Sequence, residues 1–186
     1  MPRPARHRGA LIRAAVKLFR EQGYAATGLA EILAESGAPR GSLYHYFPGG
    51  KEALGAAAVR AAGAVVLRTL EDIAADVPDA GAFLRAYGER LAGWMAASQW
   101  RAGCPIATTL LETVPASEAI TAAGNEVLDA WTGLIASVHE RDGMAADAAA
   151  RRAEAVIAAV EGALILARVR QSGEPLRRIL NDLAAG

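Results

Sequence analysis

Apolar residues recur at steps of three and four along nearly the whole chain, the spacing that lines one face of a helix. Ile12, Ala15, Val16 and Phe19 predict a first amphipathic helix between Gly9 and Gly23. Gly23 is placed to stop it. Thr27 is the expected N-cap of a short second helix that turns Leu29, Ile32 and Leu33 inward. Gly37 suits the left-handed position after that helix, and Pro39 the first position of a third, over about 39–46, anchored by Leu43 and Phe47. "PGG" at 48–50 breaks the chain, and Lys51 opens a fourth helix that runs to about 75.

The same period continues to the end of the chain. A fifth helix is predicted over about 80–98, with Phe83, Leu84, Tyr87, Leu91, Trp94 and Met95. "QWRAGCP" at 99–105 reads as a loop, and Pro105 starts a short sixth helix carrying Ile106, Leu110 and Leu111. Pro115 is expected to open a seventh, with Ile120, Val127, Leu128, Trp131, Leu134 and Val138, ended by Gly143. An eighth, about 145–171, carries Val156, Ile157, Val160, Leu164 and Ala167. A ninth carries Leu176, Ile179, Leu180 and Leu183. No stretch alternates with period two, so the expected fold is all-α, with about nine helices.

Composition narrows the setting. Apolar residues make up 53% of the 186 positions. No uninterrupted apolar run reaches the roughly 18–20 residues of a membrane span, and no signal-peptide pattern follows the basic start. The single cysteine, Cys104, forms no intrachain disulfide, which fits a reducing cytoplasm. Charge is balanced overall but uneven. Residues 1–51 hold eight basic and three acidic side chains, a net of +5, and the remainder compensates. A basic head on an acidic body points to a polyanionic partner, although a solvated surface can show the same asymmetry by chance.

The head's turn residues and polar aromatics gather in "SGAPRGSLYHYFPGGKE", Ser36 to Glu52. The second helix, the turn at "SGAP" and the third helix form a helix-turn-helix, whose second helix enters the major groove. Arg40, Gly41 and Ser42 occupy the first turn of that helix. Arginine bonds guanine in bidentate fashion, and Gly41 admits close backbone approach. Tyr44, His45 and Tyr46 offer flat faces with polar tips for phosphates and thymine methyls. Lys51, at a helix start, is placed to grip a phosphate. Thr27, at the head of the second helix, completes the set of expected DNA contacts. Leu43 and Phe47 are assigned to the head's core.

"AAVKLFREQGYAATGLAEILAESGAPRGSLYHYFPGGKEAL" resembles the N-terminal domain of TetR-family transcriptional repressors, over about residues 10–54. With "GCPIATTLLET" at 103–113, it is similar to the subgroup controlling antibiotic-resistance and flavonoid-responsive operons. Where some members carry a polar base-reading residue near the start of the second helix, this chain has Ala30, which shifts expected base readout toward Arg40. The resemblance implies a DNA-binding domain at 1–48 and a ligand-binding and dimerisation domain at 49–186. It implies a homodimer on a pseudo-palindromic double-stranded operator, released by a small-molecule effector. Dimerisation is expected from the last two helices, with small Ala residues and Gly162 allowing close approach and Val160, Leu164, Ile179 and Leu183 sealing the contact. The same stripes also fit packing against the subunit's own core.

The family's effector pocket lies among the fourth to seventh helices. There this chain holds Trp94, Met95, Trp100, Cys104, Thr108, Leu111 and Trp131, which suits a hydrophobic or aromatic ligand and equally suits ordinary core packing. His7, His45 and His139 have no metal-ligand spacing, and no nucleophile elbow or phosphate-binding loop is present, so neither an enzyme nor a cofactor is expected. Cys104 reads as an inert buried thiol or as a redox sensor before a helix. The expectation is a ligand-responsive repressor; the alternative is a helical small-molecule-binding protein without DNA binding.

Overall fold

The computed structural model describes residues 6–185. Arg3, one of the basic residues of the head, lies outside them. Among the described residues there are nine helices and no strand. They are α1 (Arg6–Gln22), α2 (Leu29–Ser36), α3 (Arg40–Tyr46), α4 (Gly50–Asp76), α5 (Ala80–Ala97), α6 (Ala107–Thr113), α7 (Glu118–Arg141), α8 (Ala146–Arg170) and α9 (Glu174–Ala185). The glycine stops fall as expected: Gly23, Gly37 and Gly143 have φ of 91°, 61° and 90°, a region that costs other residues a Cβ clash.

Several predicted helix starts move, among them that of α6, which opens at Ala107 after a turn at Pro105 and Ile106. Gly28, not Thr27, caps α2, and Pro39 stands just outside α3 as its N-cap. Pro115 lies in the turn before α7, after a cis Val114–Pro115 bond, and the helix opens at Glu118. Asp79 caps α5 by accepting from the Ala82 N–H at 2.7 Å. α4 holds no uninterrupted apolar run of membrane-spanning length, since Arg60 and Arg68 divide it. It is long and apolar enough to cross a membrane by length and composition, but 56% of its apolar window is buried within the protein, as in a core helix.

The chain forms two compact units. The first takes the residues up to Ala64 together with Pro105–Val127; the second takes Val65–Cys104 and the residues from Leu128 onward. These boundaries differ from the expected division at 48/49. Compactness follows packing, so the first half of α4 and the whole of α6 group with the helix-turn-helix.

In the first unit, Leu11, Ala15, Leu18 and Phe19 of α1 meet Ile32, Leu43, Phe47 and Leu54 in one core. Ile12 and Val16, predicted inward, flank it half-buried. Each fully buried large side chain of this kind stabilises by about 1.5–3 kcal/mol, enough together to order helices as short as α2 and α3. In the second unit, Phe83, Leu84, Tyr87, Leu91 and Met95 of α5 are buried, as are Leu176 and Leu180 of α9. Gly88 lets α5 and α9 approach closely, since a Cβ there would lie 3.2 Å from Leu180 Cβ and 3.3 Å from the Leu176 carbonyl oxygen. α8 buries a run of small residues, Ala149, Ala153, Ala163 and Ala167, between Val156, Val160 and Leu164.

Candidate nucleic-acid interface

α3 is too short to be stable alone, and the head's core fixes it through Leu43 and Phe47, both buried. With those two anchored, the helical period turns Arg40, Gly41, Tyr44 and His45 outward. Tyr44 is 63% exposed although its ring is large and apolar. His45 is exposed and meets Tyr46 edge-on, with centroids 4.8 Å apart. Tyr46 and Ser42 are only half-buried. Tyr46 lines a surface cavity of about 430 Å³ with Arg8, Ile12, Phe47, Ala53 and Arg60. The Arg8 guanidinium there stands 5.6 Å over the Phe47 ring.

Among the described residues, nothing packs against two glycines of the helix-turn-helix. A Cβ on Gly28 or Gly41 would meet no atom within 4 Å, and neither position has left-handed backbone. No side chain caps α2, so its first N–H groups are left without a side-chain acceptor beside Gly28. Thr27 takes neither expected role. It is buried, and its hydroxyl donates to the Gly23 carbonyl at 2.6 Å, satisfying an acceptor where α1 ends.

Lys51 is the second residue of α4 and half-buried. Its Nζ donates to the Ala25 carbonyl at 3.4 Å. Tyr24 beneath it has its phenol pushed above the ordinary range by burial, with the Glu52 carboxylate adding to the effect. Not all of the head's charge is free. Lys17 pairs with Glu35 at 2.7 Å, and Arg60 holds Glu126 through two bonds of 2.6 and 2.7 Å. Sequence reasoning missed Glu112 of α6. Its Oε2 accepts the Ala25 N–H at 2.5 Å across 87 residues of chain, a separation at which no local pattern signals a contact.

The expected effector residues fall in both units. Trp94, Met95, Trp100, Cys104 and Trp131 belong to the second, Thr108 and Leu111 to the first. Met95, Cys104 and Trp131 are buried. Trp100 adopts φ 64° next to Gln99 at 52°, two left-handed residues that turn the chain out of α5. Leu111 is 85% exposed, because α6 buries Thr109 and Thr113 on its opposite side. The second unit also holds two polar groups that sequence reasoning did not assign to a pocket. Burial pushes the Tyr87 phenol well above its ordinary range, with Cys104 and Glu161 adding to it. Burial likewise raises the Glu161 carboxyl, opposed by a hydrogen bond with Cys104.

The expected dimer residues divide as well. Val160 and Leu164 are buried within the chain's own core, while Ile179 and Leu183 are half-buried. The apolar residues that α8 leaves outside are Ile165, 66% exposed, Leu166, and Val169, 78% exposed. Val160 and Leu164 thus follow the alternative reading of the stripe, packing against the subunit's own core.

Known proteins match over most of the chain. The family model for bacterial regulatory proteins of the tetR family matches residues 11–58. The model for the C-terminal domain of LmrA/YxaF-like transcriptional regulators matches residues 80–182. An HTH-type transcriptional regulator of Mycobacterium tuberculosis is 35% identical over 178 residues, 93% of this chain and 90% of that protein. The HTH-type transcriptional regulator LmrA of Bacillus subtilis is 31% identical over 169 residues, covering 91% and 90%. Among solved structures, regulatory protein TetR from Rhodobacter sphaeroides superposes with a TM-score of 0.84 at 28% identity, over 96% of this chain and 97% of that one. The reduced form of Escherichia coli NemR shares the fold, with a TM-score of 0.79 at 24% identity over 95% of each chain.

Proposed function

Since the chain belongs to the TetR family of bacterial transcriptional regulators, we propose that it is a one-component repressor, binding a pseudo-palindromic operator as a homodimer and releasing it when a small hydrophobic or aromatic molecule occupies its C-terminal domain. The observation that carries this is the outward face of α3. Arg40, Gly41, Tyr44 and His45 are exposed, while Leu43 and Phe47 hold the helix in place. On this reading Arg40 reads a base, and Tyr44, Lys51 and the uncapped start of α2 hold phosphates. Gly28 and Gly41 leave room for the DNA backbone.

By function the chain then divides into a DNA-binding domain at 1–48 and an effector and dimerisation domain at 49–186. Ile165, Leu166 and Val169 of α8, which are exposed, form the dimer contact, joined by the half-buried Ile179 and Leu183 of α9. Trp94 and Trp131 contact the effector, which makes tryptophan fluorescence its reporter. An effector that releases DNA must bind the DNA-free state more tightly, and operator DNA must then weaken effector binding by the same factor, about 5–150-fold.

The test is a gel shift with the DNA upstream of the protein's own gene. The expected result is a salt-sensitive complex that survives excess random DNA. Absence of any complex with that or genomic DNA leaves a helical small-molecule-binding protein instead.

A further inference from the structure

Ala25 lies in the turn between α1 and α2, and side chains from two other helices hold both of its backbone groups. Its N–H donates to Glu112 Oε2 of α6 at 2.5 Å, and its carbonyl accepts from Lys51 Nζ of α4 at 3.4 Å. The second Glu112 oxygen, Oε1, fills the space beside Gly23, where a Cβ would come within 2.5 Å of it. Gly23 is thus required twice, once for its φ of 91° and once to admit this carboxylate. α6 is itself seated in the first unit. Thr109 and Thr113 are buried, and Leu110 lies so close to Gly124 that a Cβ there would come within 2.7 Å of its Cδ2.

The α1–α2 turn sets where α2 begins, and α2 begins with uncapped N–H groups. We infer that Glu112 is a positioning residue for DNA binding: through the Ala25 N–H it holds the start of α2 in place. The inference rests on the DNA-binding reading above. Lys51 gives it a direction. When Lys51 turns from the Ala25 carbonyl to a phosphate, the carboxylate's bond to the Ala25 N–H remains as a hold on that peptide. Glu112 therefore matters more to the DNA-bound state than to the free fold.

The experiment compares wild type with Glu112→Gln, Glu112→Asp and Glu112→Ala. Affinities are measured by fluorescence anisotropy on a duplex that the wild type enriches from a random library, and on an unselected duplex. Exchange of the Ala25 amide is followed by NMR, and the melting temperature is recorded. Aspartate is too short to reach, whereas glutamine keeps an acceptor at the same length. The expected result is a loss of about three- to tenfold on both duplexes for Asp and Ala, a smaller loss for Gln, faster Ala25 exchange in Asp and Ala, and nearly unchanged melting. Faster exchange with unchanged affinity would make the contact structural only and overturn the inference. So would equal losses for Asp and Gln, or an affinity loss that merely follows a lowered melting temperature. If the wild type enriches no duplex at all, it is the DNA-binding reading that has failed, an outcome distinct from the others.

Discussion

The ammonium of Lys51 lies 4.4 Å from the centre of the Tyr24 ring, a cation held over an aromatic face at the start of α4. That contact parks the charge within the head without neutralising it, so a phosphate can take it at small cost. Lys51→Ala should weaken binding to every DNA sequence alike. It should also reduce the slope of log affinity against log salt by about one per contact, and so by about two for a dimer. Loss of the contact to the ring should lower stability by only about 0.5–1 kcal/mol. A salt titration of the variant checks this, and an unchanged slope removes Lys51 from the phosphate contacts.

Arg40 is exposed in the first turn of α3. Arg40→Ala should cost about 1–3 kcal/mol per half-site and relax the preference at one base position. Selection of binding sites by the variant shows which position relaxes. An equal loss on selected and random DNA would make Arg40 a phosphate anchor instead.

Gly63 is required by close packing rather than by backbone conformation. A Cβ there would lie 2.4 Å from Val127 Cγ2. Gly63→Ala should destabilise the protein by about 1–3 kcal/mol through overpacking, and Val127→Ala in the same chain should recover part of that loss. Denaturant unfolding of the two single variants and the double variant measures the coupling.

His139 is buried, and among the described residues its Nε2 has no hydrogen-bond partner. Burial holds its pKa below the ordinary 6.5, with Arg152 adding to the depression and Asp142 opposing it. As pH falls through about 6.5, the unfolded chain takes up a proton that the folded state resists. Stability should therefore fall on acidification below that point, and His139→Gln should flatten the dependence. Unfolding curves between about pH 5 and pH 8 test the sign; a steeper loss in the variant would contradict it.

Val169 and Leu164 share α8 but not a fate. Val169→Asp should dissociate a dimer with little effect on the folded subunit, because the side chain is 78% exposed. Leu164→Ala should instead cost stability, by about 2–5 kcal/mol, because Leu164 is buried in its own subunit. Sedimentation and thermal unfolding of the two variants separate the effects.

The sequence by itself determined the helices, most of their stops, and the outward face of α3. Those follow from short-range rules: a period near 3.6, left-handed glycines at 23, 37 and 143, and Leu43 and Phe47 spaced to bury one side of a short helix. Caps were less legible, because Thr27 and Gly28 compete for one position. The threonine hydroxyl was won by the Gly23 carbonyl, an outcome set by the α1–α2 turn. Only the tertiary structure decided which flank of each stripe faces inward. Val160 and Leu164 point into the core while Ile165 and Val169 do not, and Leu111 points away from the side of α6 that is buried. A helix's period fixes the spacing of an apolar face but not which neighbour covers it, and an alanine-rich helix such as α8 allows more than one face. The hold of Glu112 on Ala25 lay furthest from reach. It joins residues 87 positions apart, through an acid that looks in sequence like any solvated side chain and acquires its task only where α6 meets the α1–α2 turn.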